Sequence, residues 1–234
     1  MIPIISIINF AIGIGVLVIA REVFRTARRA QNRPYFYLGM MFLFTGAHFL
    51  LIGSPGIITS NPLLIRVNYI ISIFLIFLGG ASLLAMARSY QEELPLFEIW
   101  TVVVLGAIDA GVSLLHSLPA DVTVSAHFIY YTPQSDTFFV YLNGIILSTV
   151  VLTEVILFVH NYRESRSDGA KQRARYMIAG SISLFFCMFF LYLWYPALQV
   201  WNLWAEGIFA AIWYWLFNRA IFREPVHIPA KRNL

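Results

Sequence analysis

Residues 63–87 read LLIRVNYIISIFLIFLGGASLLAMA, and Arg66 is the one charged residue in this run. About 20 consecutive apolar residues are enough for an α-helix to cross the ~30 Å hydrocarbon core of a bilayer. The run therefore predicts a membrane-spanning helix. Composition extends this prediction to the whole chain, because 59% of the 234 residues are hydrophobic and 12% are charged, whereas soluble domains are roughly 25% charged.

Six further apolar segments surround this run. The seven predicted spans are Ile2–Ala20, Tyr35–Gly53, Leu63–Ala87, Phe97–Leu118, Phe138–His160, Tyr176–Leu198 and Val200–Phe222. We therefore predict an all-α integral membrane protein: a bundle of seven transmembrane helices over residues 1–222, followed by a short basic cytoplasmic tail over residues 223–234. The spans use nearly the whole chain, which excludes a kinase, cyclase or nucleotide-binding domain within it.

Basic residues fall on alternate connections between the predicted spans. They are Arg21, Arg25, Arg28, Arg29 and Arg33 after the first span, Arg88 after the third, Arg163, Arg166, Lys171, Arg173 and Arg175 after the fifth, and Arg219, Arg223, Lys231 and Arg232 at the C-terminal end. Only Arg66 lies on the opposite side. The positive-inside rule then predicts an outside N-terminus and a cytoplasmic C-terminus in a multi-pass protein of the plasma (inner) membrane. The net charge of +4 reflects this topology and does not indicate nucleic-acid binding.

The connection between the fourth and fifth spans has the alternating pattern of a β-strand. Apolar Val122, Val124 and Phe128 alternate with polar Thr123 and His127. Two interpretations remain open at this point. The segment either forms a short β-hairpin over the outer mouth of the bundle or is an irregular loop, because isolated two-stranded hairpins are marginally stable.

Small residues predict where helices approach each other closely. Gly39, Gly46 and Gly53 recur every seven residues, so they lie near one face of the second helix. A second small-residue face is predicted on the fourth helix: Gly106, Ala107, Ala110 and Gly111. We expect close helix packing at both faces.

Ionisable residues inside spans are costly and are therefore the first candidates for a functional site. They include Arg66, Asp109, Glu154 and Glu206, which we interpret as ligand-binding or proton-sensing residues. One hypothesis pairs Arg66 with Glu206 or Asp109 in an outward-facing polar vestibule. The alternative is that each carboxyl group is hydrogen-bonded to polar neighbours and serves helix packing.

His48 and His116 lie in the outer parts of the second and fourth predicted spans, so they are candidate cofactor-binding residues that could clamp one haem. Ordinary hydrogen-bonded histidines or a proton relay are the alternatives. Cys187 is the single cysteine, which excludes a cysteine-based metal site. A retinal Schiff base is excluded as well, because the only lysines are Lys171 and Lys231, outside the seventh span.

The layout resembles the seven-helix N-terminal sensor region found in front of many bacterial histidine kinases and diguanylate cyclases. The resemblance covers nearly the whole chain and rests on the basic connection Ala30-Gln31-Asn32-Arg33-Pro34-Tyr35, the outer segment between helices four and five, and the basic stretch Ala170-Lys171-Gln172-Arg173-Ala174-Arg175-Tyr176 with Gly180 following it. It implies a sensor. Such receptors continue into an output domain, whereas this chain stops at Leu234 after a short tail. We therefore expect any signal to pass through a separate protein.

Three functions follow from these residues. The first is a non-enzymatic receptor-like module that binds a small or lipid-soluble ligand from the outer side and acts in trans through a partner protein, with membrane lipids as its other partners and no nucleic acid. The alternative is an accessory or haem- or pigment-carrying subunit of a respiratory or photosynthetic membrane complex. The second alternative is an intramembrane enzyme of lipid or isoprenoid metabolism, using one of the three carboxyl groups as acid or base.

Overall fold

A computed structural model describes residues 4–89, 96–116, 121–124, 129–132, 137–165, 167–189 and 199–222. Its helices are α1 (Ile4–Ala30), α2 (Arg33–Gly53), α3 (Pro62–Ser89), α4 (Leu96–His116), α5 (Thr137–Glu164), α6 (Asp168–Met188) and α7 (Gln199–Phe222), and its strands are β1 (Asp121–Val124) and β2 (Ile129–Thr132). The chain forms two compact units, Met1–Val150 and Val151–Leu234. The boundary divides α5.

Five of the described helices, α1 to α5, are long and apolar enough to cross a membrane. Their outward faces carry large apolar side chains; on α4, for example, Phe97 is 83% exposed and Leu115 is 79% exposed. Apolar surface of this kind is favourable in contact with lipid and unfavourable in contact with water. Residues 190–198 of the sixth predicted span lie outside the described residues, as do several side chains of α7. The count of seven spans therefore stays a prediction.

Helix α1 is longer than the sequence predicted. It continues to Ala30, ten residues beyond the predicted end at Ala20, and Arg28 and Arg29 form its last turn. Our placement of the first group of arginines in a connection was wrong, because hydropathy marks the edge of the hydrocarbon and not the end of the hydrogen-bonded helix. Arginine, glutamate and alanine are good helix formers, so the helix persists in water.

The connection between α1 and α2 is a tight turn. Gln31 has a left-handed φ of 46°, and the side chain of Asn32 accepts a hydrogen bond from the backbone N–H of Tyr35 at 3.3 Å. Pro34 occupies the first turn of α2, where its missing N–H costs nothing. These residues stop α1 and start α2 within two positions.

Helices α1 and α2 pack closely and antiparallel, and the prediction for the three glycines of α2 is confirmed. A Cβ atom added at Gly39 would lie 2.8 Å from the ring of Phe24, and one at Gly46 would lie 2.8 Å from Leu17. At Gly53 the added atom would lie 2.5 Å from the backbone nitrogen of Phe10. Phe10, Leu17 and Phe24 are also seven residues apart, so the three glycines of α2 meet two large side chains of α1 and its backbone at Phe10. We call this contact the glycine seam.

Helix α3 is the most buried of the described spans and lies against both α2 and α4. On the α4 side, a Cβ atom at Gly106 would lie 2.5 Å from the Cβ atom of Phe77, so these two helices also pack closely. Two of the other small residues predicted for this face do not share the contact. Ala107 and Gly111 are exposed, and that part of the prediction was wrong because they point away from the stripe that contains Gly106.

The chain between α4 and α5 contains two short antiparallel strands. Asp121 pairs with Thr132 and Val124 pairs with Ile129. Strand β2 contacts α1. The residues that join the strands lie outside the described residues, so a hairpin over the outer mouth of the bundle stays a prediction. In the first unit we call the end that carries these strands the hairpin end, and the opposite end, where the α1–α2 connection lies, the basic end. At the basic end Arg88 of α3 forms a bidentate ion pair with Glu98 of α4, with a shortest distance of 2.7 Å.

The second unit contains the last part of α5 together with α6 and α7. Gly180 of α6 lies against the ring of Phe217 of α7, and the Ser183 hydroxyl donates to the carbonyl of Phe209 at 2.7 Å. Arg175 donates to the Tyr162 hydroxyl at 2.8 Å and lies over its ring. Close backbone approach and one interhelical hydrogen bond therefore hold α6 against α7.

Candidate functional site

The buried face of α4 is half polar. Its described buried residues are Val102, Gly106, Asp109 and Ser113, at spacings of four, three and four residues. This spacing puts all four on one stripe of the helix. A stripe that faces the protein interior in a membrane helix normally carries small or apolar residues. In α4 this stripe instead carries the carboxyl group of Asp109 and the hydroxyl group of Ser113 into the interior of the first unit.

Asp109 is the most distinctive member of this stripe. Its residue is 4% exposed, and neither carboxylate oxygen has a hydrogen-bond partner. The side chain of Asn143, on α5 within the same unit, lies close enough to interact with the carboxyl group but not in the geometry of a formed hydrogen bond. Folded proteins rarely leave a buried carboxylate in this state, because desolvation without hydrogen bonds is costly.

Like the Asp109 oxygens, two polar atoms of α5 in this unit are buried without hydrogen-bond partners. The Oδ1 atom of Asn143 and the hydroxyl of Ser148 are both buried and lack hydrogen-bond partners. Together with the Asp109 oxygens, three carbonyl or carboxyl oxygen atoms are therefore available as acceptors on α4 and α5. An environment of this kind favours a hydrogen-bond donor or a small cation.

Arg66 lies at the hairpin end of the first unit, at the start of α3. Its guanidinium donates to the carbonyl of Leu114 in the last turn of α4. A cation at a helix C-terminus satisfies an orphan carbonyl and interacts favourably with the helix dipole. Neither Asp109 oxygen has a hydrogen-bond partner, so the structure does not contain the predicted pair of Arg66 with Asp109. The alternative pair with Glu206 stays a prediction, because the Glu206 side chain lies outside the described residues. Leu114 lies five residues, or about 7.5 Å along the helix, from Asp109.

His48 lies in the contact between α2 and α3. Its Nδ1 atom is 3.0 Å from the backbone carbonyl of Ser72, to which it donates in the neutral Nδ1-protonated tautomer. The same contact includes a hydrogen bond of 2.8 Å from the amide of Asn68 to the hydroxyl of Ser54. The His48 arrangement leaves Nε2 unprotonated. His116 ends α4, but its side chain lies outside the described residues, so the predicted haem clamp stays a prediction.

The remaining predicted site residues belong to the second unit. Glu154 on α5 is fully buried, and neither of its carboxylate oxygens has a hydrogen-bond partner. Glu206 is on α7, with its side chain outside the described residues. In the part of the chain that the structure describes, no three His, Cys, Asp or Glu side chains come together as a metal site would require. The roles of both glutamates remain predictions.

Sequence reasoning missed the polar neighbour of Asp109 on α5, Asn143. Asn143 is an ordinary residue in an apolar run, and one sequence contains no signal that places it beside Asp109. Ser113 could have been found, because it follows Asp109 by four residues and so shares its helix face. Pairing α4 with α5 requires the tertiary structure.

Helices long and apolar enough to span a bilayer, lipid-compatible outer faces and buried polar groups between helices define a multi-pass α-helical membrane protein. Comparisons with protein families, with curated proteins and with solved structures found no match for the chain.

Proposed function

We propose that this protein is a non-enzymatic seven-helix sensor or receptor-like module of the plasma (inner) membrane. It binds a small or lipid-soluble ligand from the outer side and acts through a separate protein partner. One observation carries the proposal: the buried carboxyl group of Asp109, whose two oxygens lack formed hydrogen bonds although the side chain of Asn143 lies near them. An intramembrane ionisable residue is by default a functional site.

The chemistry of this site suggests the class of ligand. Acceptor oxygens that are buried without partners cost free energy in the empty protein, and a ligand that donates hydrogen bonds removes that cost. A protonated amine, a hydroxyl group or an amide N–H on a membrane-soluble molecule fits this requirement. A ligand that binds one conformation of the helices better than another shifts their equilibrium, which is the basis of a signal.

The position of Asp109 along α4 supports entry from the hairpin end. Asp109 is seven residues, about 10 Å, from the end of α4 at His116, and thirteen residues, about 20 Å, from its start at Leu96. Under the positive-inside assignment, the hairpin end faces outward. The site then lies in the outer third of the membrane.

The test is mass spectrometry of the small molecules and proteins that co-purify after gentle extraction from the native membrane. We expect a donor-bearing small molecule with the wild-type protein, and its loss in Asp109→Asn. Asp168→Asn, an exposed aspartate at the start of α6, is the matched control and should retain it. Equal recovery from Asp109→Asn would refute the ligand site. A histidine kinase, cyclase or response regulator in the sample would support signalling in trans.

The second candidate function is a haem- or pigment-carrying subunit of a respiratory or photosynthetic complex, and the geometry of His48 favours it. Haem-ligating histidines usually donate their other ring nitrogen to a carbonyl or carboxylate, and His48 makes such a bond to Ser72. A visible absorption band of the purified protein that is lost in both His48→Ala and His116→Ala would establish this function. Co-purification with cytochromes would agree with it and would contradict the sensor.

A further inference from the structure

A cavity of about 800 Å³ lies between α1 and α2 at the basic end of the first unit. We call it the α1–α2 groove. One stripe of each helix lines it: Leu17, Phe24 and Arg28 from α1, and Arg33, Phe36 and Leu43 from α2. Both stripes repeat every three or four residues along their helices, so the groove runs parallel to the helix axes. It has a charged end near the α1–α2 turn and an apolar end further along the helices.

The charged end carries arginines without counter-ions. Arg21, Arg28 and Arg33 line the groove and are exposed, and none of them has a hydrogen-bond or ion-pair partner among the described residues. Arg25 differs because it pairs with Glu22 at 2.6 Å. Arg28 and Arg33 flank the α1–α2 turn, whereas Arg21 lies seven residues, about 10 Å, from Arg28 along α1. The guanidinium groups of Arg28 and Arg33 attract an anion at this end of the groove, and their planar fork binds phosphate oxygens in a bidentate manner.

The apolar end consists of aromatic and aliphatic side chains. The rings of Phe24 and Phe36 meet edge to face, with 5.7 Å between centroids, and Phe24 is held from behind by Gly39. Phe36 is 49% exposed and Leu43 is 37% exposed, so the floor of the groove is open to an apolar ligand. From Leu17 to Arg28 the groove extends about 16 Å along α1.

We propose that the α1–α2 groove binds one anionic phospholipid. The phosphate lies between Arg28 and Arg33, and an acyl chain runs past Phe24 and Phe36 towards Leu17. Charge complementarity selects the anionic headgroup, and the apolar floor selects a molecule with a chain attached to that headgroup. Basic pockets between membrane helices bind anionic lipid headgroups in this way. The inference is independent of the ligand site at Asp109.

The experiment measures lipid binding to the purified full-length protein by native mass spectrometry. The probes are dioleoylphosphatidylglycerol, which is anionic, and dioleoylphosphatidylcholine, which has the same chains and no net charge. We expect one phosphatidylglycerol to bind at least tenfold more tightly than phosphatidylcholine. Each arginine near a phosphate contributes roughly fivefold, so Arg28→Gln should weaken phosphatidylglycerol binding about fivefold and Arg28→Gln/Arg33→Gln about 25-fold.

Arg29→Gln is the matched control. Arg29 is adjacent to Arg28, equally exposed and of equal charge, but it does not line the groove. It should change binding by less than about twofold. Melting curves without added lipid check that the variants fold, which is expected because all of the substituted side chains are exposed.

Three outcomes would overturn the proposal. Equal loss in Arg29→Gln and Arg28→Gln would mean that diffuse surface charge, and not the groove, attracts the lipid. Equal binding of phosphatidylcholine would exclude headgroup selection. Dihexanoylphosphatidylglycerol or inorganic phosphate binding as tightly as the dioleoyl lipid would identify a free phosphate site without a chain-binding floor.

Discussion

Replacing Gly53 with alanine tests the glycine seam most directly. The added Cβ atom would lie 2.5 Å from the backbone nitrogen of Phe10 and 2.9 Å from the carbonyl oxygen of Ser6. Both are backbone atoms, so no side-chain rotation relieves the clash, and α1 must move away from α2 by about 0.9 Å to restore ordinary contact. A gap of that size removes a quarter to a half of each dispersion contact.

The cost follows from the number of contacts affected. Roughly 40 contacts of about 0.15 kcal/mol each lose this fraction, which gives a destabilisation of about 1.5 to 3 kcal/mol. For a protein of this size we expect the melting temperature to fall by about 3 to 12 °C. The melting temperature is measured by intrinsic tryptophan fluorescence while the protein is heated in detergent.

Gly15→Ala is the control for this prediction. Gly15 is on α1 in the same unit, and a Cβ atom added there meets no atom within 4 Å. Alanine is the better helix former by up to about 1 kcal/mol, so Gly15→Ala should melt at or above the wild-type temperature. If Gly53→Ala melted together with Gly15→Ala, the close approach of α1 and α2 at Gly53 would be incorrect.

Variants at three other sites test the remaining contacts. Asp109→Asn should keep or raise the melting temperature, because an amide is cheaper to bury than an unpartnered carboxylate; a fall of more than about 3 °C would show instead that the carboxylate stabilises the fold. Arg88→Gln and Glu98→Gln should each lower the free energy of unfolding by at most about 1 kcal/mol, because the ion pair is partly exposed. In a chemical unfolding titration, the charge swap Arg88→Glu/Glu98→Arg should recover most of that loss. Gly180→Ala should destabilise the second unit by about 1 to 3 kcal/mol, because the ring of Phe217 is fully buried and has no room to move. Adding Phe217→Leu should restore part of that stability, and a double variant as unstable as Gly180→Ala would argue against this contact.

The sequence predicted features that depend on local periodicity. The apolar runs located helices α1 to α5, and the seven-residue spacing of Gly39, Gly46 and Gly53 identified the face that contacts α1. Both results follow from properties of a single helix: the length it needs to cross the hydrocarbon core, and its 3.6 residues per turn. The predicted end of α1 was wrong because the apolar run ends at Ala20 whereas the helix continues to Ala30.

Features that depend on which helices are neighbours were not predictable. Asp109 was singled out for its cost inside a span, but its proximity to Asn143 depends on the packing of α4 and α5. The hydrogen bond from Arg66 to the carbonyl of Leu114 involves a backbone atom, which has no signature in the sequence. The four small residues of α4 look equivalent in sequence, and only the orientation of the helix separates Gly106 from Gly111.

The glycine seam also constrains how this chain can change during evolution. Inserting or deleting one residue between Gly46 and Gly53 would turn one glycine by about 100° relative to the other, and a bulky residue would then face α1. Between these positions, substitutions that keep the spacing are tolerable and changes of length are not. We therefore expect homologous chains to align here without gaps, while the connections beyond the helix ends vary in length.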